Sequence, residues 1–140
     1  MGFDLVSRNK KLNSFYMGSF SWSWMLDAGV GLVLGAGRGV EPATCIWLPD
    51  NKGRSPYYND GFRVTAAQAR AMALAARGLV AVKESINDTW ASLDAITADK
   101  YKRADVLGLS LYQQPVRDDF IEKAQAFADW AEQSQGFAVW

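Results

Sequence analysis

The side chains able to do chemistry in this 140-residue chain are few, and the gaps among them narrow its function. Histidine is absent altogether, which removes the commonest general base and the commonest transition-metal ligand. Cys45 is the single cysteine, and its neighbours Thr44 and Ile46-Trp47 suit a buried thiol better than a nucleophile. A zinc site would have to be built from that thiol and carboxylates alone. With one cysteine no intrachain disulfide forms, which fits a reducing compartment. Paired carboxylates remain for acid/base work, for instance Asp60 with a neighbour supplied by the fold, but no spacing selects a pair. Arg63, Arg70 and Arg77 recur every seven residues, and the two within the following helix fall nearly on one face. Such a stripe can bind phosphate or an acidic partner, or simply be a solvated face, and the second reading is favoured. The sequence therefore names no catalytic residue, no metal ligand and no cofactor.

Glycine clustering invites one more reading. Gly31-Leu32-Val33-Leu34 leads into Gly35-Ala36-Gly37-Arg38-Gly39, an apolar run ending in Gly-x-Gly as at the start of a dinucleotide-binding fold. Val40 stands where the third glycine is needed, and Glu41-Pro42 follows in place of a helix start. No Gly-Lys-Ser/Thr occurs either, so a helix end with a glycine turn is the better account.

The stretch that organises the chain is Tyr57-Tyr58-Asn59-Asp60-Gly61-Phe62-Arg63-Val64-Thr65. Asn-Asp-Gly is a turn signal, because Asn and Asp bond their own backbone and Gly takes a positive φ without a Cβ clash. Residues 62–64 suit a short extended segment. Thr65 with Gln68 forms a capping-box pattern, opening an Ala-, Leu- and Met-rich helix that ends near Lys83-Glu84 at the break Asn87-Asp88-Thr89. Asp60 reads as a brace or cap for that helix.

Around this stretch the other elements fall into order. Phe3 to Ser7 alternates like a strand, and residues 8–14 form a polar loop. Phe20, Trp22 and Trp24 alternate with serines as a strand would, yet Trp24 to Ala28 favours helix. A turn followed by a helix to about Leu34 results, with Ser19 or Ser21 as N-cap. Gly29 and Gly31 each weaken that helix by roughly 1 kcal/mol relative to Ala. Cys45 to Leu48 suits a short strand or connector, and residues 49–56 an exposed loop. Further helices are predicted over 90–96, placing Trp90, Leu93 and Ile96 in the core, and over 98–107. The last begins at Pro115 and carries Phe120, Ala124, Phe127 and Ala131 on one face, with Asp118, Glu122, Asp129 and Glu132 on the other. Gly136 is its C-cap, and Phe137 to Trp140 a final strand that pairs with Phe3 to Ser7.

The length suits a single compact domain over residues 1–140, and 49% hydrophobic with 21% charged residues excludes a disordered tail. The fold class is α+β, with about four helices and a small sheet joining the two terminal strands. No signal peptide or long apolar stretch opens the chain, so a cytoplasmic location without membrane contact is expected. Residues 1–83 are net positive and 84–140 equally net negative, as when two halves of one domain pack and compensate.

Gly-Phe-Asp at the start, a tryptophan-rich helix lead-in, Tyr-Asn-Asp-Gly before an Ala/Leu helix, and Phe-x-x-Trp then Gly-Phe at the close occur here together. In this the chain resembles a family of small uncharacterised proteins carried by bacteria and their phages. The match covers most of the chain in outline and is specific over 57–75 and 127–140. Gln135-Gly136 stands where the closing motif has a double glycine, and serines break the tryptophan segment. No activity is assigned to that family, so the resemblance carries over no functional residue.

Aromatics at 13% of residues either build a heavy core or supply contact anchors. A non-enzymatic protein-binding module needs only a stable scaffold, exposed aromatics and charged surface. Its candidate contacts are Trp22, Trp24, Tyr57, Tyr58, Asn59, Asp60, Arg63, Arg70 and Arg77. The phage resemblance implies a host partner, such as a nuclease or defence complex, and an anti-CRISPR-like inhibitory role. The alternatives are a small enzyme using carboxylate acid/base chemistry and a nucleic-acid-binding accessory protein, with zero net charge against the latter. Self-association through surface aromatics stays open.

Overall fold

The computed structural model describes residues 2–36, 51, 53–93 and 117–140. Four strands, β1 (Gly2–Ser7), β2 (Phe15–Gly18), β3 (Phe62–Thr65) and β4 (Gly136–Val139), form one antiparallel sheet in the order β2-β1-β4-β3. Three helices accompany it among the described residues: α1 (Ser19–Met25), α2 (Ala66–Leu93) and α3 (Asp118–Gln133). The class is α+β. The helix predicted over 98–107 and the segment Cys45 to Leu48 lie outside the described residues.

The two ends of the chain meet at the middle of the sheet. Leu5 faces Val139, Val6 faces Ala138 and Ser7 faces Phe137. Because strand side chains alternate, this register sends Phe3, Leu5, Phe137 and Val139 to one side, joined by Met17, Phe62 and Val64. All seven are buried against Ala69, Met72, Ala73 and Ala76 of α2 and Ala124, Phe127 and Ala131 of α3.

The serine-aromatic alternation over residues 19–24 is helical throughout, and the strand β2 precedes it. Met17 is the inward residue of β2, and from Ser19 the spacing becomes helical, burying Trp22, Met25, Leu26 and Val30. Phe20 is left 72% exposed. Trp22 sits in the centre, touching Phe3, Phe127 and Phe137, and its indole N–H donates to the Pro56 carbonyl at 2.8 Å. The N-cap is Gly18, not Ser19 or Ser21, and among the described residues no side chain caps this helix. After Met25 the backbone widens into a π-helical turn, Leu26–Val30, in which Gly29 takes φ 124°, and then tightens into a 3₁₀ turn, Leu32–Leu34. Gly35, at φ 72°, ends it as the glycine-turn reading expects.

The capping box forms as predicted: Gln68 N–H donates to Thr65 Oγ1 at 3.1 Å and Thr65 N–H to Gln68 Oε1 at 3.0 Å. Two helix boundaries differ from expectation. α2 runs through Asn87-Asp88-Thr89 to Leu93, so no separate helix begins at Trp90. Three weak helix formers cost only tenths of a kcal/mol each, and the Thr89 hydroxyl donates back to the Ser85 carbonyl at 3.0 Å. α3 starts at Asp118 with Arg117 as N-cap, whereas Pro115 lies outside the described residues. At its C-terminal end Gln135, at φ 58°, takes the first left-handed position, with Gly136 next at φ 99°. A Cβ on Gly136 would lie 2.7 Å from the Val64 carbonyl oxygen, so only glycine lets β4 approach β3 there.

Replacing Thr65 by Ala removes one half of the capping box and is expected to cost about 1 kcal/mol in urea denaturation. An unchanged midpoint would mean that packing alone sets the start of α2.

Candidate functional sites

The loop ahead of β3 is held by its own polar side chains. Asp60 Oδ2 accepts from the Ser55 N–H at 3.1 Å, and Ser55 Oγ accepts from the Tyr57 N–H at 3.2 Å. Asp60 thus braces residues 55–60 and not α2, whose cap is Thr65; its Oδ1 is buried without a hydrogen-bond partner among the described residues. Asn59 Nδ2 donates to the Gly2 carbonyl at 2.8 Å, tying the loop to β1. Asn51, which reads in the sequence as part of an exposed loop, is buried instead. Its side chain accepts from the Arg63 N–H at 2.5 Å and donates to the Arg63 carbonyl at 2.8 Å, covering the free edge of β3.

The sequence-derived contact residues do not form one surface. Trp22 and Trp24 are 0% and 5% exposed, so neither is an exposed anchor: Trp22 is core, and Trp24 packs edge-on against Phe120 with ring centroids 4.7 Å apart. Tyr57 leans on the core, with its hydroxyl donating to Asp27 Oδ1 at 2.5 Å, while Tyr58 is exposed. The arginines separate. Arg63 stands on the outer side of β3, and Arg70 is exposed on α2, which packs against the inner side. Arg77 bridges to α3 through Asp129 at 3.0 Å and Glu132 at 2.7 Å, and those two carboxylates raise its pKa. Part of the predicted acidic face of α3 is therefore a partner for α2.

Two other constellations emerge. The first is the outer side of the sheet. Asp4 and Trp140 exchange backbone hydrogen bonds of 2.7 and 2.9 Å, and Tyr16 faces Asp4 from β2. The row Tyr16–Asp4–Trp140 is flanked by a second, Val6–Ala138–Arg63. Tyr16 and Trp140 are each about half exposed, and Val6 is 44% exposed. The Trp140 ring lies across Gly61, where a Cβ would come within 2.7 Å of it. Gly61, at φ 81°, thus serves both the predicted turn and the seat of this indole. Strand pairing, not local sequence, puts these residues side by side, although alternation along β1 marks Asp4 and Val6 as outward.

No family model, curated protein or solved structure matches this chain. Function has to be argued from the two constellations themselves.

The second is a pocket of about 350 Å³ between the π-helical turn and α2. Asp27, Ala28 and Gly29 line one side; Ala75, Gly78, Leu79, Val82 and Lys83 line the other. Lys83 is 1% exposed and its Nζ lies 5.0 Å from the centroid of the Trp24 ring. Burial lowers its pKa from the ordinary lysine value, since a desolvated ammonium is disfavoured. A signal for it exists in the sequence: position 83 continues the buried helical series of Ala69, Met72, Ala76 and Val80. Among the described residues no group of three or more His, Cys, Asp or Glu could hold a metal ion, and no helix is long and apolar enough to cross a membrane.

A lysine pKa lowered by folding means that the unfolded chain binds the proton more tightly. The cost of burying the charge is full below the lowered pKa and vanishes as pH rises to the ordinary lysine value. The stability of Lys83→Met relative to the parent should accordingly fall between pH 7 and pH values near about 10, measured by urea denaturation. A difference independent of pH would show that Lys83 is not desolvated.

Proposed function

We propose that the chain is a non-enzymatic protein-binding module whose contact surface is the outer side of the sheet. The observation that carries this reading is the row Tyr16–Asp4–Trp140, two half-exposed aromatic rings on a rigid strand platform. Aromatics and arginine concentrate binding energy in protein interfaces, and Arg63 stands in the adjoining row. Rings fixed on paired strands lose little conformational freedom on binding, which favours affinity. A nucleic-acid platform would also use exposed aromatics, but it needs cations along the phosphate track. Here Asp4 lies between the two rings, where it would repel a phosphate backbone and can instead receive a basic or hydrogen-bonding group of a protein.

The phage resemblance supplies the class of partner, a bacterial nuclease or defence complex, and inhibition as the consequence of occupying it. Tyr16→Ala and Trp140→Ala should each weaken the affinity for a partner captured by the parent protein by roughly 30-fold, about 2 kcal/mol, with melting temperature largely kept. Phe20→Ala, at an exposed aromatic on α1 and not on a strand of the sheet, should leave affinity unchanged. Undiminished binding by a Tyr16→Ala/Trp140→Ala double variant would refute the outer sheet side as the contact surface.

A further inference from the structure

One side of the 28-residue α2 packs on the sheet and α3, and its opposite side is unlike an ordinary solvated helix face. Ala67, Leu74, Gly78, Ala81 and Ser85 are exposed there and Ala71 is partly exposed. Their spacing alternates between four residues and three, the period of a seam between two helices, and no charged residue falls on it. Leu74 is 70% exposed and Val82, beside the seam, 56%. The pocket borders the same face through Ala75, Gly78 and Val82. At the centre of the seam, a Cβ built on Gly78 would meet no atom within 4 Å. Packing within the chain therefore does not call for glycine at this mid-helix position, where it is a poor helix former. What glycine does allow is the close approach of a second backbone.

Charge along the flank of the seam is unbalanced within one chain. Arg70 stands towards one end, Glu84 and Asp88 towards the other; all three are exposed, and none forms an ion pair among the described residues. Glu84 and Asp88, four residues apart, repel each other. At 1.5 Å of rise per residue, Arg70 is about 21 Å from Glu84 along the axis, too far to relieve that repulsion. Arg70 and Asp88 are about five turns apart, hence on the same flank, with Glu84 beside them.

We infer that two copies of the chain associate through this face as an antiparallel, twofold pair of α2 helices crossing at Gly78. Arg70 lies eight residues before Gly78, while Glu84 and Asp88 lie six and ten after it. A twofold axis at Gly78 thus brings Arg70 of each copy level with the two carboxylates of the other, like flank against like flank. The same operation sets Leu74 level with position 82, so that Leu74 enters the hole between Gly78, Ala81, Val82 and Ser85 of the second copy. Val82 of that copy lies at the Ala75 end of the pocket, which gives it room. The occupant is a second copy and not some other helix because one surface supplies both the basic and the acidic half, each matched to the other. The pairing uses the side of α2 turned away from the sheet, so it leaves Tyr16, Asp4 and Trp140 uncovered and does not rest on the sheet being a contact surface.

Sedimentation equilibrium of the full chain tests the inference at about 100 μM, where even a small, transient-class interface is populated. The parent should run at up to twice the 15.4 kDa chain mass, and its melting temperature should rise with protein concentration. Gly78→Gln should raise the dissociation constant by at least about 10-fold, because its side chain separates the helices at the crossing point, while the open space beside Gly78 keeps the monomer folded. Arg70→Glu and the double change Glu84→Arg/Asp88→Arg should each weaken self-association by a similar factor, since like charges then face each other. Mixed together, these two variants should associate with one another, which only the antiparallel register explains alongside a parent dimer. Tyr16→Ala/Trp140→Ala should leave the dissociation constant unchanged. A parent that stays monomeric, with a melting temperature independent of concentration, would overturn the inference. A dimer indifferent to Gly78→Gln, or one lost in Tyr16→Ala/Trp140→Ala, would overturn it too by placing the contact elsewhere.

Discussion

The pairing of β1 with β4 is the constraint on which the rest depends. Residues from opposite ends of the sequence, Asp4 and Trp140, exchange two backbone hydrogen bonds, and the alternation that follows from that register assigns every neighbouring side chain to one side or the other. A shift by one residue would place Phe3, Leu5, Phe137 and Val139 in water and turn Asp4 and Val6 towards α2 and α3. The apolar side is thus also the reason that Tyr16, Trp140 and Arg63 look outward. The core and the proposed contact surface are two consequences of one register.

Loop residues secure what the register begins. Trp22 fills the space between sheet and helices, and its indole fixes the Pro56 carbonyl. Asn51 satisfies the outward N–H and carbonyl of Arg63, and Asn59 donates to the carbonyl of Gly2, so polar side chains from one loop attach to both β3 and β1. Such an edge is closed to further strand addition at Arg63. Tyr57 extends the same loop to Asp27 in the π-helical turn, which links the loop to the pocket.

Local signals were readable where a few neighbouring residues decide the outcome. The Thr65/Gln68 cap, the Asn-Asp-Gly turn and the amphipathic face of α3 each depend on short-range chemistry, and each is present. The pairing of the terminal strands was readable too, because both alternate and each needs a partner. What escaped depends on neighbours distant in sequence. Tryptophans at 22 and 24 suggest contact anchors until the helical period buries them, whereas Tyr16 and Trp140 become a pair only through the strand order β2-β1-β4. Lys83 lies in a helix whose end the sequence suggests at that very residue, so its burial could not be separated from a frayed, solvated terminus. Arg77 belongs to an apparent stripe until α3 presents Asp129 and Glu132 to it.

The central claim is that the sheet side formed by this register displays its aromatics while the tryptophans of α1 are enclosed. Photochemically induced nuclear polarisation, in which a light-excited dye enhances only tyrosine and tryptophan rings that it can touch, tests this in one spectrum. The structure predicts enhanced signals from Tyr16, Tyr58 and Trp140 and none from Trp22 or Trp24. Enhancement of Trp22 together with silence from Tyr16 and Trp140 would contradict the register, and with it the contact surface that rests on it.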